Sequence, residues 1–222
     1  MQTDHRPSLR DFDIYEYGDK AAQIVLLQAI DKHSLDSMEK EIELIREATG
    51  KEFLLAAFVV NDWNKDLSPW PAPAVFGNED FGDGAADLLA VMQEYCENMG
   101  SRTFILGGYS LAGLYSLWSV YQTDIFQGVA AVSPSMWFPE FDNYMNDNKI
   151  QCSNVYLSLG DKEEKTKNKV MATVGDKMRE AHKLLHDQDI NCTLEWNEGN
   201  HFRDPDKRTA NGFAWIINRM GN

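Results

Sequence analysis

The chain has 222 residues with 21 basic and 35 acidic side chains, a net charge of −14. That length is one domain at ordinary domain sizes, and 43% hydrophobic residues suffice for a sizeable core, which excludes global disorder. The acidic balance excludes a phosphate-tracking role on nucleic acid and docking on anionic lipid, leaving small neutral or cationic molecules as the natural partners.

Along the chain, short apolar runs alternate with longer amphipathic stretches, the pattern of a mainly parallel sheet with helices on both faces. The opening residues, Met1 to Asp19, are polar and carry no apolar signal-peptide core, and no apolar run reaches membrane-spanning length. A soluble, cytoplasmic protein without membrane or nucleic-acid partners is therefore expected. Residues 24–27 form a buried strand. Ser34 is predicted to cap a helix with Leu35, Met38, Ile42 and Ile45 on one face, ending at Gly50. Residues 53–60 make a second strand. Residues 61–80 hold Trp63, Trp70, Phe76 and three prolines, too irregular for a regular element.

A helix over 85–99 ends at Gly100, and a short strand over 103–106 leads into Gly107-Gly108-Tyr109-Ser110 and a helix over 111–121. Strands are predicted over 128–132, 155–159 and 192–196, with helices over 168–187 and 207–220. No linker or repeat interrupts the pattern, so residues 1–222 are expected to form one domain.

Cys96, Cys152 and Cys192 are too few for a disulfide framework and match no zinc spacing, so buried free thiols are expected. Asn191-Cys192-Thr193 fits a glycosylation sequon, read as coincidence because no secretory signal accompanies it. His182 and His186 share a helix face but have no third ligand in the pattern, and they are expected to be surface residues.

The segment Gly108-Tyr-Ser110-Leu-Ala112 carries chemistry. A strand that turns sharply into a helix can hold a serine at its tip only if the residues two before and two after are tiny. Gly108 and Ala112 meet that requirement, although Ala112 stands where the usual pattern has glycine. Such a turn exposes the hydroxyl, and the helix behind it offers backbone N–H groups to an oxyanion, the Leu111 N–H first. A nucleophilic serine needs a base and the base an orienting acid. His201 follows the last predicted strand and is the base expected by position. Asp161, Glu163 and Glu164 follow the strand before it, and the residues alone leave the acid open among these three.

With these residues in place, the chain resembles the esterase family of α/β-hydrolases that contains esterase D and the siderophore trilactone esterases. The resemblance spans roughly residues 10–218. It rests on Gly-Tyr-Ser-Leu-Ala-Gly at 108–113, Ser-Pro-Ser-Met-Trp-Phe at 133–138, Leu-Gly-Asp-Lys-Glu-Glu at 159–164 and Gly-Asn-His-Phe at 199–202, with Asn-Asp-Trp-Asn-Lys-Asp-Leu-Ser-Pro-Trp at 61–70. It implies an α/β-hydrolase fold, no metal and no cofactor. It places the acid first on Glu163, then Asp161, then Glu164, and a second oxyanion N–H in a loop at Ala29 and Ile30.

The expected activity is hydrolysis of a small-molecule carboxylic or thio ester through an acyl-serine. The alternatives are an acyltransferase or peptidase on the same scaffold, or a non-catalytic binding protein. Only 22 residues separate Val132 from Val155, too few for a large cap domain, so an open site is expected. Its rim would be aromatic, with Trp63, Trp70, Tyr109 and Trp137 as substrate-binding candidates. A homodimer is a further expectation.

Overall fold

The computed structural model describes residues 4–9 and 12–220, the first of these stretches by its backbone alone. Strands β1 (Asp4–Leu9), β2 (Phe12–Gly18), β3 (Ile24–Ile30), β4 (Phe53–Val59), β5 (Thr103–Tyr109), β6 (Phe126–Val132), β7 (Asn154–Gly160) and β8 (Asn191–Asn197) form a sheet ordered β1-β2-β4-β3-β5-β6-β7-β8. The pairs from β4 through β8 are parallel, whereas β1 and β2 run antiparallel at one edge. The chain crosses from β3 to β4 on one side and returns to β5 on the other. A crevice therefore opens at the carboxyl ends of β3 and β5, the topological switch point where such sheets carry their sites.

Both faces are covered, as expected. Helices α1 (Met38–Thr49) and α7 (Pro205–Arg219) bury Met38, Ile42, Ile45, Phe213, Ile216 and Ile217 against one face. On the other lie α3 (Ala85–Met99), α4 (Leu111–Gln122), α5 (Phe141–Asp147) and α6 (Val174–Asp187). The four-residue helix α2 (Trp63–Asp66) follows β4. Central strands read as unbroken apolar runs because both their faces are dry, as in β4, Phe-Leu-Leu-Ala-Ala-Phe-Val, which is buried throughout.

Several local expectations are corrected. The polar opening hides two strands, because β2 lies toward the sheet's edge and alternates: Phe12, Ile14 and Glu16 face inward between more exposed residues. Glu16 tolerates burial by accepting a hydrogen bond from the Tyr95 hydroxyl at 2.8 Å. Ser34 is not the cap of α1. Asp31 accepts from the Ser34 N–H at 2.8 Å and opens a 3-10 turn over 32–37, and α1 begins only at Met38. The helix predicted from residue 168 begins at Val174, since the Asn168 side chain accepts from the Val170 and Met171 N–H groups and holds a tighter turn ahead of it. Residues 61–80 contain α2, capped by Asp62 through the Lys65 N–H, and residues 133–154 contain α5.

Among the described residues no helix is long and apolar enough to cross a membrane, and no three metal-ligating side chains come together. His186 is exposed and His182 half-buried, and the side chain of His5 lies outside the described residues. All three cysteines are free. Burial pushes the Cys96 and Cys152 thiols up to about 12, while Cys192 is only partly buried.

One buried acid makes the fold sensitive to pH. Glu41 of α1 is 3% exposed, and burial, which penalises its charged form, pushes its carboxyl up to about 8 despite a hydrogen bond with Gln28. The native state therefore holds a proton between the ordinary carboxyl range and pH 8 that the unfolded chain releases. Stability must fall as pH rises through that window. Thermal melts from pH 5 to pH 8 are expected to show a steeper loss of Tm in the wild type than in Glu41→Gln, which has no proton to lose.

Candidate functional site

Strand β5 ends at Tyr109 and α4 begins at Leu111, so the whole reversal falls on Ser110, held at φ 62° and ψ −124°. A non-glycine residue there is strained by on the order of 1–3 kcal/mol and persists only where its surroundings fix it. The surroundings do so. The Ser110 N–H donates to the Val132 carbonyl at 3.0 Å, and the Ser110 carbonyl accepts from the Ser135 N–H at 3.1 Å. The turn closes so tightly that a Cβ on Gly108 would stand 2.5 Å from the Ala112 carbonyl oxygen. A Cβ on Gly113 would stand 2.9 Å from the Gly108 carbonyl oxygen and 3.0 Å from that of Val132. Gly108 and Gly113 are thus required by close backbone approach.

The strained turn presents the Ser110 hydroxyl to His201, whose Nε2 lies 3.0 Å from Ser110 Oγ. On the other side of the ring, His201 Nδ1 lies 2.7 Å from Glu163 Oε2. The three acids after β7 separate cleanly by their partners. Asp161 accepts from the Gly199 N–H at 2.7 Å and so ties the loop after β7 to the loop after β8. Glu164 points to α6, where Arg179 donates to it at 3.0 Å. Glu163 alone turns inward to the histidine, its side chain 5% exposed.

The outer oxygen of Glu163 is held by three donors: the Gly160 N–H at 2.7 Å, the Ser133 hydroxyl at 2.8 Å and Arg208 Nη1 at 3.1 Å. Ser133 reaches it from a backbone turned to φ 42° at the end of β6. Arg208 is the residue sequence reasoning missed. It sits in the first turns of α7, 2% exposed, and also donates to the carbonyls of Glu198 and Asn200 at 3.1 and 3.2 Å. A signal existed: Arg208 stands four and eight residues before Gly212 and Ile216, on the helix's buried face, where a charge needs partners.

The candidate oxyanion donors fall in two places. Leu111 is the first residue of α4, so its N–H has no acceptor within the helix and adjoins the serine. Ala29 and Ile30 do not form a loop: β3 runs to Ile30, which pairs with Val59, and its carbonyl accepts from the Val60 N–H at 2.9 Å. Neither lines the cavity at Ser110.

That cavity holds about 540 Å³, within the range of small-molecule sites. Ser110 and His201 line it, and Trp63, Phe76, Trp137, Met171 and Phe202 supply apolar wall. Trp63 and Trp137 thus stand where a substrate-binding role requires, whereas Trp70 and Tyr109 do not. Trp70 packs on Phe138 and Phe141 and donates from its indole to the Pro139 carbonyl at 3.1 Å, anchoring a loop. The Tyr109 hydroxyl donates to the His201 carbonyl at 2.7 Å and accepts from Arg208. Burial raises its pKa and keeps the phenol a donor.

No protein-family model and no curated protein matches the sequence. Solved structures do match. An IroE-like serine hydrolase from Shewanella oneidensis superposes with a TM-score of 0.78 at 12% identity, over 98% of this chain and 80% of that one. Siderophore hydrolase EstA from Aspergillus nidulans gives 0.72 at 16% identity, over 98% and 94%. The enterobactin esterase FES from Shigella flexneri gives 0.67 at 11% identity; the match covers 99% of this chain but 59% of the longer enzyme. The sheet order, the turn at Ser110 and these superpositions agree that the chain has the α/β-hydrolase fold.

Proposed function

We propose that this protein is a serine hydrolase that cleaves carboxylic or thio esters of a small molecule through an acyl-enzyme. The observation that carries the proposal is the continuous path from Ser110 Oγ to His201 Nε2 at 3.0 Å and from His201 Nδ1 to Glu163 Oε2 at 2.7 Å. The likeness to a siderophore hydrolase and to an enterobactin esterase supports ester substrates in kind.

In this reading Ser110 Oγ attacks the ester carbonyl carbon while His201 Nε2 takes the hydroxyl proton. Charge develops on the carbonyl oxygen, and the Leu111 N–H at the positive end of α4 stabilises it. The tetrahedral centre then collapses, the bond to the alcohol or thiol breaks, and His201 returns the proton to the leaving group. Water repeats the sequence on the acyl-serine and frees the acid. Glu163 fixes the imidazole with Nδ1–H toward itself, leaving Nε2 free to accept, and stabilises the imidazolium that forms. Arg208, Ser133 and the Gly160 N–H act as positioning groups, holding the other Glu163 oxygen.

Hydrolysis of 4-nitrophenyl acetate tests the assignment. Ser110→Ala and His201→Ala are each expected to lower kcat by about 10³-fold or more, since members of such a unit fail together. Glu163→Gln keeps the shape but favours the wrong tautomer and should cost about 10³- to 10⁴-fold. Asp161→Asn and Glu164→Gln should remain far closer to wild type, and a larger loss in either than in Glu163→Gln contradicts the choice of acid. Arg208→Ala strips a buried carboxylate of its cation and is expected to cost about 3–5 kcal/mol of stability, read as a lowered denaturant midpoint. Arg208→Lys, which keeps charge without the fork, should fall between that variant and wild type.

A further inference from the structure

The proposed hydrolase reading leaves the substrate's chemistry open, and the lysines at the cavity narrow it. We propose that the substrate is an ester with an apolar body and an anionic group, and that Lys162 and Lys165 receive that group.

The turn after β7 sorts its four charged side chains by direction. Residues 163–165 form a 3-10 turn with Lys162 as its cap, and the Lys165 N–H donates to the Lys162 carbonyl at 3.2 Å. With three residues per turn, positions i and i+3 eclipse, so Lys162 and Lys165 project from the same side. Both line the cavity that holds Ser110. The two carboxylates between them leave in other directions: Glu163 goes inward to His201 and Arg208, and Glu164 goes to Arg179. Among the described residues neither lysine forms an ion pair.

The charge balance of the cavity follows directly. Its ionisable lining consists of Lys162, Glu163, Lys165 and His201, and the one carboxylate is occupied by its own partners. The charges left for a ligand are two ammonium groups, with Lys167 and Lys169 exposed just beyond them. This lies in a chain whose net charge is −14, so an anion repelled by the molecule as a whole is drawn to this mouth. The remaining wall, Trp63, Phe76, Trp137, Met171, Val174 and Phe202, suits an apolar body. Phe202, beside the histidine, is 86% exposed, a large apolar surface that a seated ligand would cover.

Two matched ester pairs read the subsite on either side of the scissile bond. One is 4-nitrophenyl hydrogen glutarate and its methyl ester; the other is 4-carboxyphenyl butyrate and its methyl ester. For each pair the ratio of kcat/KM, anionic over neutral, cancels the intrinsic reactivity of the bond when compared between proteins. The proposal expects that ratio to fall about fivefold to tenfold in Lys162→Gln/Lys165→Gln for at least one pair, as two partly solvated ion pairs are worth. It should fall further in Lys162→Glu/Lys165→Glu, and rising salt should lower the wild-type ratio alone. Ratios unchanged by either double substitution in both pairs overturn the proposal.

Phenylphosphonate binding, measured by calorimetry on wild type and both double variants, reads the same subsite without turnover. Weaker binding in the variants supports the proposal; equal binding, or none to the wild type, overturns it. If no ester is turned over and a fluorophosphonate leaves no adduct on Ser110, the hydrolase reading fails, and the phenylphosphonate result alone then decides the anion subsite.

Discussion

A guanidinium with almost no contact with solvent ties helix α7 to the ends of β6 and β7 and to the loop after β8. Arg208 of α7 reaches Ser133 at the end of β6, Glu163 after β7 and two carbonyls of the loop after β8. A buried cation without partners costs far more than any one loop contributes, so these segments must assemble around it together. The result fixes Glu163 by one oxygen and leaves the other for His201, whose loop is held by the same guanidinium. The spacing between serine, histidine and glutamate is in this sense a property of the cluster beneath them.

The serine side is held by a different constraint. Backbone strain at Ser110 is offset by hydrogen bonds on both sides of the residue and by the close approach of Gly108 to Ala112. The strand order puts β5 beside β3 and β6, so the strained turn opens into the crevice at the switch point, where the long loops after β4, β6 and β7 build the walls. Strand β5 sets the position of Ser110, while the irregular loops shape the space above it.

Much of this was legible in the residues. Ser110 announces itself because the turn tolerates only tiny neighbours, and His201 because it follows the last strand. The parallel sheet was legible because strands buried on both faces must be apolar throughout. What could not be read depended on direction and partners. The residues alone leave Asp161, Glu163 and Glu164 equivalent, although the resemblance ranks Glu163 first. The turn after β7 sends Glu163 inward and the other two elsewhere. Trp70 and Trp63 look alike in a proline-rich loop, yet one anchors that loop and the other lines the cavity. Strand β2, next to the sheet's edge, escaped because its inward residues include a glutamate that accepts from a tyrosine 79 positions away. Arg208 escaped because a basic residue near a helix start reads as solvent-facing until its acceptors are known.

The central claim is that Ser110 is an activated nucleophile. Intact-mass analysis after a fluorophosphonate pulse tests it on wild type, Ser110→Ala and His201→Ala together. The account predicts one adduct on the wild type, none on Ser110→Ala and a greatly slowed reaction on His201→Ala. A folded wild type that takes up no adduct, or a Ser110→Ala variant that still does, would contradict it.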